Sequence, residues 1–117
     1  MNIEQIREYC LQKPFTTESL PFDDTSLVFK VHEKMFGLLI LKHPHRMNLK
    51  CDPEIAIKLR ETYDFVIPGY HMNKKHWNTL SELDNIPDDL IIEWINHSYQ
   101  LVWNKLPKRL QSKSENE

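Results

Sequence analysis

Residues 46–53 read "RMNLKCDP", and the two halves of this stretch demand different backbones. In "RMNLK" apolar and polar side chains alternate. On a strand, Met47 and Leu49 then point one way, while Arg46, Asn48 and Lys50 point the other, about 7 Å apart at the strand rise. Immediately afterwards Asp52 offers a capping carboxylate and Pro53 a residue suited to the first helical position, the clearest helix start in the chain. Ile55, Leu59 and Thr62 or Tyr63 carry the expected apolar stripe of that helix.

Working outward, three more strand-like runs precede this one, at 16–22, 27–31 and 35–41. The separators "DDTS", "HEK" and "KHPH" are short enough to imply an antiparallel meander. Asn2 can cap a first helix, with Gln5 at the capping-box position and Ile3, Ile6 and Cys10 at helical spacing until Pro14. Downstream, "FVIPGY" and "HWNTL" read as extended segments. Pro87 opens a long helix through Leu106, with Leu90, Ile91, Trp94, Ile95, Leu101 and Val102 on its apolar side. The pattern predicts an α+β sandwich, an antiparallel meander sheet with helices packed on one face and water on the other. By the same alternation Lys30 joins Arg46, Asn48 and Lys50 on the watered face.

The 117 residues, 40% hydrophobic and 27% charged, describe one domain, taken as 1–110 with a polar, disordered tail at 111–117. Its radius of gyration should be about 13 Å, so any site lies at the surface or in a shallow cleft. No apolar run approaches the roughly 20 residues of a membrane span, and Met1 leads directly into a helical pattern. A cytoplasmic monomer is expected. Cys10 and Cys51 form neither a CxxC pair nor a disulfide framework and are read as reduced thiols without function.

The net charge of −2 argues against coating nucleic acid by bulk electrostatics, yet the charges are segregated. Residues 42–50 hold Lys42, Arg46 and Lys50 with His43 and His45 and no acid; 70–80 hold Lys74 and Lys75 with His71 and His76, again without an acid. Between 82 and 93 stand Glu82, Asp84, Asp88, Asp89 and Glu93 without a cation.

The stretches "PFDDTSLVFKV" (21–31), "MNLKCDPE" (47–54), "VIPGYHMNKKHWNTL" (66–80) and "HSYQLVWNKLPKRL" (97–110) together resemble the MmcQ/YjbR family of small bacterial proteins. The most specific part is "NLKCDPE" followed some twenty residues later by "PGYHMNKKHW". The resemblance implies a CyaY-like, that is frataxin-like, fold and DNA binding through a double wing of sheet and turns. One feature of this chain opposes the wings. In a meander "DDTS" and "KHPH" share one end of the sheet, and Asp23 and Asp24 there would repel phosphate, so these two turns are expected to pair with each other.

The run "HMNKKHW" (71–77) has two readings. As a contact surface, Asn73, Lys74, Lys75 and His76 would offer donors to phosphate oxygens beside Trp77, whose ring could stack on a base. As structure, Trp77 would anchor a strand in the core, with Asn73 and His76 bonding backbone groups of the turn. The sequence-based expectation is a non-catalytic protein contacting DNA phosphates weakly through Lys30, Arg46, Asn48, Lys50 and residues 73–77. The alternatives are a protein-interaction module using the exposed sheet face and a small enzyme of unknown chemistry. No catalytic constellation or cofactor motif is present. No metal site is expected, because neither His43 and His45 nor His71 and His76 has helical ligand spacing or a companion cluster.

Overall fold

The computed structural model describes residues 1–115, with side chains through Gln111. Asn2 caps α1 (Ile3–Leu11) by the expected capping box: its Oδ1 accepts from Gln5 N at 2.8 Å, and Gln5 Oε1 accepts from Asn2 N at 2.9 Å. The chain continues through β1 (Thr16–Ser19), β2 (Ser26–Val31), β3 (Lys34–Ile40) and β4 (Arg46–Lys50). Then come α2 (Pro53–Thr62), β5 (Val66–Pro68), β6 (Trp77–Leu80), α3 (Asp88–Asn104) and α4 (Lys108–Glu115). β1 stops at Ser19 rather than at residue 22; Pro21, with no N–H to give a ladder, follows two residues later. The segment from 111 expected as a disordered tail begins inside α4; residues 116 and 117 lie outside the described residues.

One six-stranded antiparallel sheet runs in the order β1-β2-β3-β4-β6-β5. The first four strands are the expected meander, and Leu41 N donates to Thr25 O at 2.8 Å, joining the two turns at that end. β6 lies between β4 and β5, so β5 is an edge strand reached by crossing through α2.

The helices cover one face. Ile6, Ile91, Ile95 and Val102 of α1 and α3 meet Phe29, Phe36, Leu39, Met47 and Leu80 of the sheet in one buried cluster, each such side chain contributing about 1.5–3 kcal/mol by leaving water. Met47 and Leu49 are buried as expected, whereas Arg46 and Lys50 are half-buried and Asn48 is buried. Asp52 caps α2, its carboxylate accepting from Glu54 N and Ile55 N. The inward side of α2 is Ala56 and Leu59, continued by Tyr63 just past its end; Ile55, expected on that stripe, is exposed. The smaller Ala56 lets the helix approach β6, where Asn78 Nδ2 donates to Ala56 O and Arg60 Nε donates to Asn78 Oδ1 at 2.7 Å.

Both cysteines are free and buried. Burial pushes the Cys10 thiol up to about 12, and burial with Asp52 alongside pushes Cys51 up to about 11, so both thiols are protonated near neutral pH and poor nucleophiles. No helix among the described residues is long and apolar enough to cross a membrane.

Candidate functional site

The helix-free face does not simply meet water. Its central row is Val28, Leu38, Asn48 and Thr79, paired across β2, β3, β4 and β6, and these residues retain 1%, 8%, 8% and 1% of their surface. After β5 the chain doubles back across this face. Gly69 N donates to Trp77 O at 2.9 Å and Tyr70 N to Thr79 Oγ1 at 2.8 Å. Thr79 Oγ1 donates to Asn48 Oδ1 at 2.6 Å, and Asn48 Nδ2 returns a bond to Tyr70 O at 3.3 Å. This closed network ties residues 69–76 down over the sheet. The polar groups of Asn48, expected to face solvent, and of Thr79 are spent on holding that segment.

Between the tied segment and the turn 20–25 lies a cleft of about 420 Å³. Met35, Leu38 and Ile40 of β3 give it apolar lining, together with Phe22, Tyr70 and Met72 from the two loops; Arg46, Asn48 and Thr79 supply polar groups. Phe22 is 70% exposed and Tyr70 52%, large apolar surfaces left open to solvent at the mouth of the cleft. The Arg46 guanidinium carbon stands 5.2 Å from the Tyr70 ring centre, within cation–π range. Its Nε is buried with no hydrogen-bond partner, and Arg46 makes no ion pair among the described residues. Asp23 also lines the cleft, but its carboxylate accepts from the Thr25 and Ser26 amides and hydroxyls. Those bonds hold its pKa below the usual carboxylate value and commit it to its own turn.

The nine residues expected to form one surface are divided. Arg46 and Lys50 occupy opposite ends of β4, roughly 13 Å apart at about 3.3 Å per residue. Arg46 belongs to the cleft. Lys50 lies instead beside Lys34 and Lys105 around a second depression of about 280 Å³. Burial, then the charge of Lys105, lowers the Lys50 pKa. Register places half-buried Lys30 opposite Met35 near this same end, and Cys51 N donating to His76 O at 2.8 Å brings the turn carrying Lys74 and Lys75 alongside.

The turn follows its structural reading. Asn73 Oδ1 accepts from Lys75 N at 2.9 Å and His76 N at 3.2 Å, Lys74 Nζ donates to Gly69 O at 3.1 Å, and Arg60 of α2 donates to Lys74 O. His76 enters through its carbonyl. Trp77 is 9% exposed, but it pairs with Lys50 on the helix-free face and lies outside the helix-side core. Gly69 packs directly against it, a Cβ there standing 2.8 Å from Trp77 Cβ, and a ring this buried has little face free to stack on a base. Tyr70, Thr79 and Phe22 went unnoticed in the sequence. The period of two in "WNTL", which sets Thr79 on the face of Trp77, was the available signal.

Sequence spacing also missed a cluster at the other end of the sheet. Leu83 N donates to His45 O at 3.2 Å, which brings the short 3-10 turn Leu83–Asn85 against the turn 41–45. His45 Nδ1 is 3.1 Å and His43 Nδ1 3.7 Å from the two oxygens of Asp84. The expectation considered only helical spacing and a companion Cys/His cluster; here the companion is a carboxylate that arrives from 39 residues away.

The family model for YjbR matches residues 11–101. The chain belongs to the YjbR family. YbdF of Escherichia coli is 36% identical over 111 residues, covering 94% of this chain and 91% of that protein. YjbR of Escherichia coli is 32% identical over 109 residues, covering 92% of each. Among solved structures, the crystal structure of Deinococcus radiodurans protein DR2400 superposes with a TM-score of 0.89 at 36% identity, covering 97% of this chain and 88% of that one. The segment matched by the YjbR model contains all six strands, α2 and most of α3. Cleft, folded-back turn and histidine cluster therefore all lie within the YjbR domain.

Proposed function

We propose that the helix-free cleft binds a small amphipathic anion, a carboxylate or phosphate carried on a planar or apolar body, and that the protein acts by binding rather than by catalysis. Arg46 carries this reading: a half-buried guanidinium, stacked on Tyr70, with no carboxylate partner and one buried donor unused. An arginine so held is already oriented for a two-oxygen acceptor. Met35, Leu38 and Ile40 suit an apolar body, Phe22 and Tyr70 can flank a ring, and the volume falls within the usual range for ligand pockets. Salicylate, indole-3-acetate and adenosine monophosphate, titrated into labelled protein and followed by NMR, should shift Leu38, Asn48 and Tyr70 resonances saturably. The neutral analogues benzyl alcohol and adenosine should bind at least about tenfold more weakly. Arg46→Gln should remove that preference and Arg46→Lys should restore little of it, since lysine lacks the planar fork. Equal binding of neutral and anionic probes would overturn the assignment.

A second reading is favoured by the opposite end of the sheet, where Lys34, Lys50 and Lys105 converge and Lys30, Lys74 and Lys75 lie close, with Glu33 and Asp52 interspersed. Of the residues expected from the sequence to contact DNA phosphates, Lys30, Lys50, Lys74 and Lys75 lie at this end and Arg46 does not; Lys34 and Lys105 join them, and the two mutually bonded turns form no wings in this reading. If these six lysines neutralise phosphates, log affinity should fall with log salt at a slope of about −5.4, and changing Lys74 and Lys75 to alanine should flatten it by about two units on every sequence alike. A folded double variant with unchanged slope would remove the turn from the interface. We infer further that the sandwich is of the CyaY-like, frataxin-like type. Its helix, strand meander and closing helix support that assignment.

A further inference from the structure

We propose that His43, His45 and Asp84 form a binding site for a divalent transition-metal ion, with zinc as the reference. None of the three lines the cleft, so this site is independent of the ligand reading above. One ligand atom from each residue falls within 4.8 Å of the others. A tetrahedral ion with bonds of about 2.0–2.1 Å separates its donors by about 3.3 Å; His45 Nδ1 stands 3.1 Å from Asp84 Oδ1 and His43 Nδ1 3.7 Å from Oδ2, so each imidazole is within a few tenths of an ångström of that separation from one carboxylate oxygen. The two rings stand side by side, centres 3.9 Å apart.

His45 gives the strongest indication. Its Nε2 lies 3.1 Å from Leu41 O and its Nδ1 3.1 Å from Asp84 Oδ1, both of them acceptors. Donating Nε2–H to the carbonyl leaves a lone pair on Nδ1 aimed at a carboxylate oxygen. Two acceptors face each other at hydrogen-bond distance unless a cation or a second proton lies between them. A ring nitrogen donating to a backbone carbonyl is also how metal-bound imidazoles are commonly oriented.

The remaining geometry favours the ion. His45 is held with its side chain 10% exposed, whereas His43 and Asp84 are 76% and 47% exposed. The site is open on one side, leaving room for water or an external ligand to complete the coordination. The Leu83 N to His45 O bond fixes the two segments against each other before any ion arrives.

The test is zinc titration of tag-free protein by calorimetry, with cobalt as an optical probe. One ion per chain and the visible absorption of tetrahedral cobalt are expected. His43→Ala and Asp84→Asn should each weaken binding at least about tenfold, while His71→Ala and His76→Ala leave it unchanged. Both ligand substitutions are at exposed positions, and circular dichroism confirms the fold. A protein that binds no zinc saturably, or whose binding survives His43→Ala and Asp84→Asn, overturns the proposal. In the first case histidine NMR showing both His45 nitrogens protonated would assign the arrangement to an imidazolium–carboxylate pair.

Discussion

Gly69→Ala is expected to destabilise the protein by about 2–4 kcal/mol and to strip the cover from Trp77. A Cβ at this position would stand 2.8 Å from Trp77 Cβ, 2.9 Å from Trp77 O and 3.0 Å from Met72 Cβ. Two of these neighbours belong to strand β6 and one is its backbone, so none can swing aside as the end of a long side chain could. Overpacking of this kind ordinarily costs about 1–3 kcal/mol. Here the segment 69–76 must also rise off the sheet, which strains Tyr70 N to Thr79 Oγ1 and Asn48 Nδ2 to Tyr70 O. Leaving those buried groups poorly paired adds about 1 kcal/mol or more. The midpoint of thermal unfolding should fall by roughly 8–16 °C for a chain of this size. With Trp94 and Trp103 changed to phenylalanine, Trp77 emission should move to the red. The same variant should lose the anion preference of the cleft, because Tyr70 positions Arg46. Unchanged stability and unchanged emission would show that residues 69–76 are not packed on the sheet.

That segment also explains where the sequence was readable and where it was not. Local signals held: the Asn2 and Asp52 caps, the four-strand meander, and the alternation that buries Met47 and Leu49 each depend on residues a few positions apart. The opposite phase of that alternation was misread, because Asn48 is buried by a chain segment more than twenty residues away rather than by anything in "RMNLK". Alternation assigns a side chain to a face. It does not say what later returns to cover that face. The insertion of β6 between β4 and β5 is likewise set by long-range pairing, and it carried Trp77 to the side opposite the helix core. Charge windows failed for a related reason. Residues 42–50 form one acid-free run in sequence, yet a strand of that length has two ends, so Arg46 and Lys50 serve different surfaces. The site residues found late, Tyr70, Thr79 and Asp84, are polar or amphipathic groups whose partners are distant in sequence.

Ser98→Ala is expected to cost about 2–4 kcal/mol although it removes a single oxygen. Register shows why. β2 and β3 pair Phe29 with Gly37 and then Lys30 with Met35, so Phe36 is an extra residue, a bulge opposite no partner. The pairing of β3 with β4 ends at Gly37 and Leu49, and the next bond, between Phe36 and Lys50, is not made. Ser98 of α3 fills that gap. Its fully buried hydroxyl donates to Phe36 O at 2.5 Å and accepts from Lys50 N at 2.9 Å, so one helix side chain replaces the missing ladder bond and pins α3 to both strands. Alanine would leave a buried carbonyl without its partner at about 1–3 kcal/mol and a partly buried amide at about 1 kcal/mol. Hydrogen exchange separates this cause from a general loss of packing. The Lys50 amide should exchange many times faster in the variant than global destabilisation alone predicts, while amides at the far end of β4 follow the global value. If Lys50 exchange merely tracks global stability, the strands close the gap themselves and the hydroxyl is not the bridge.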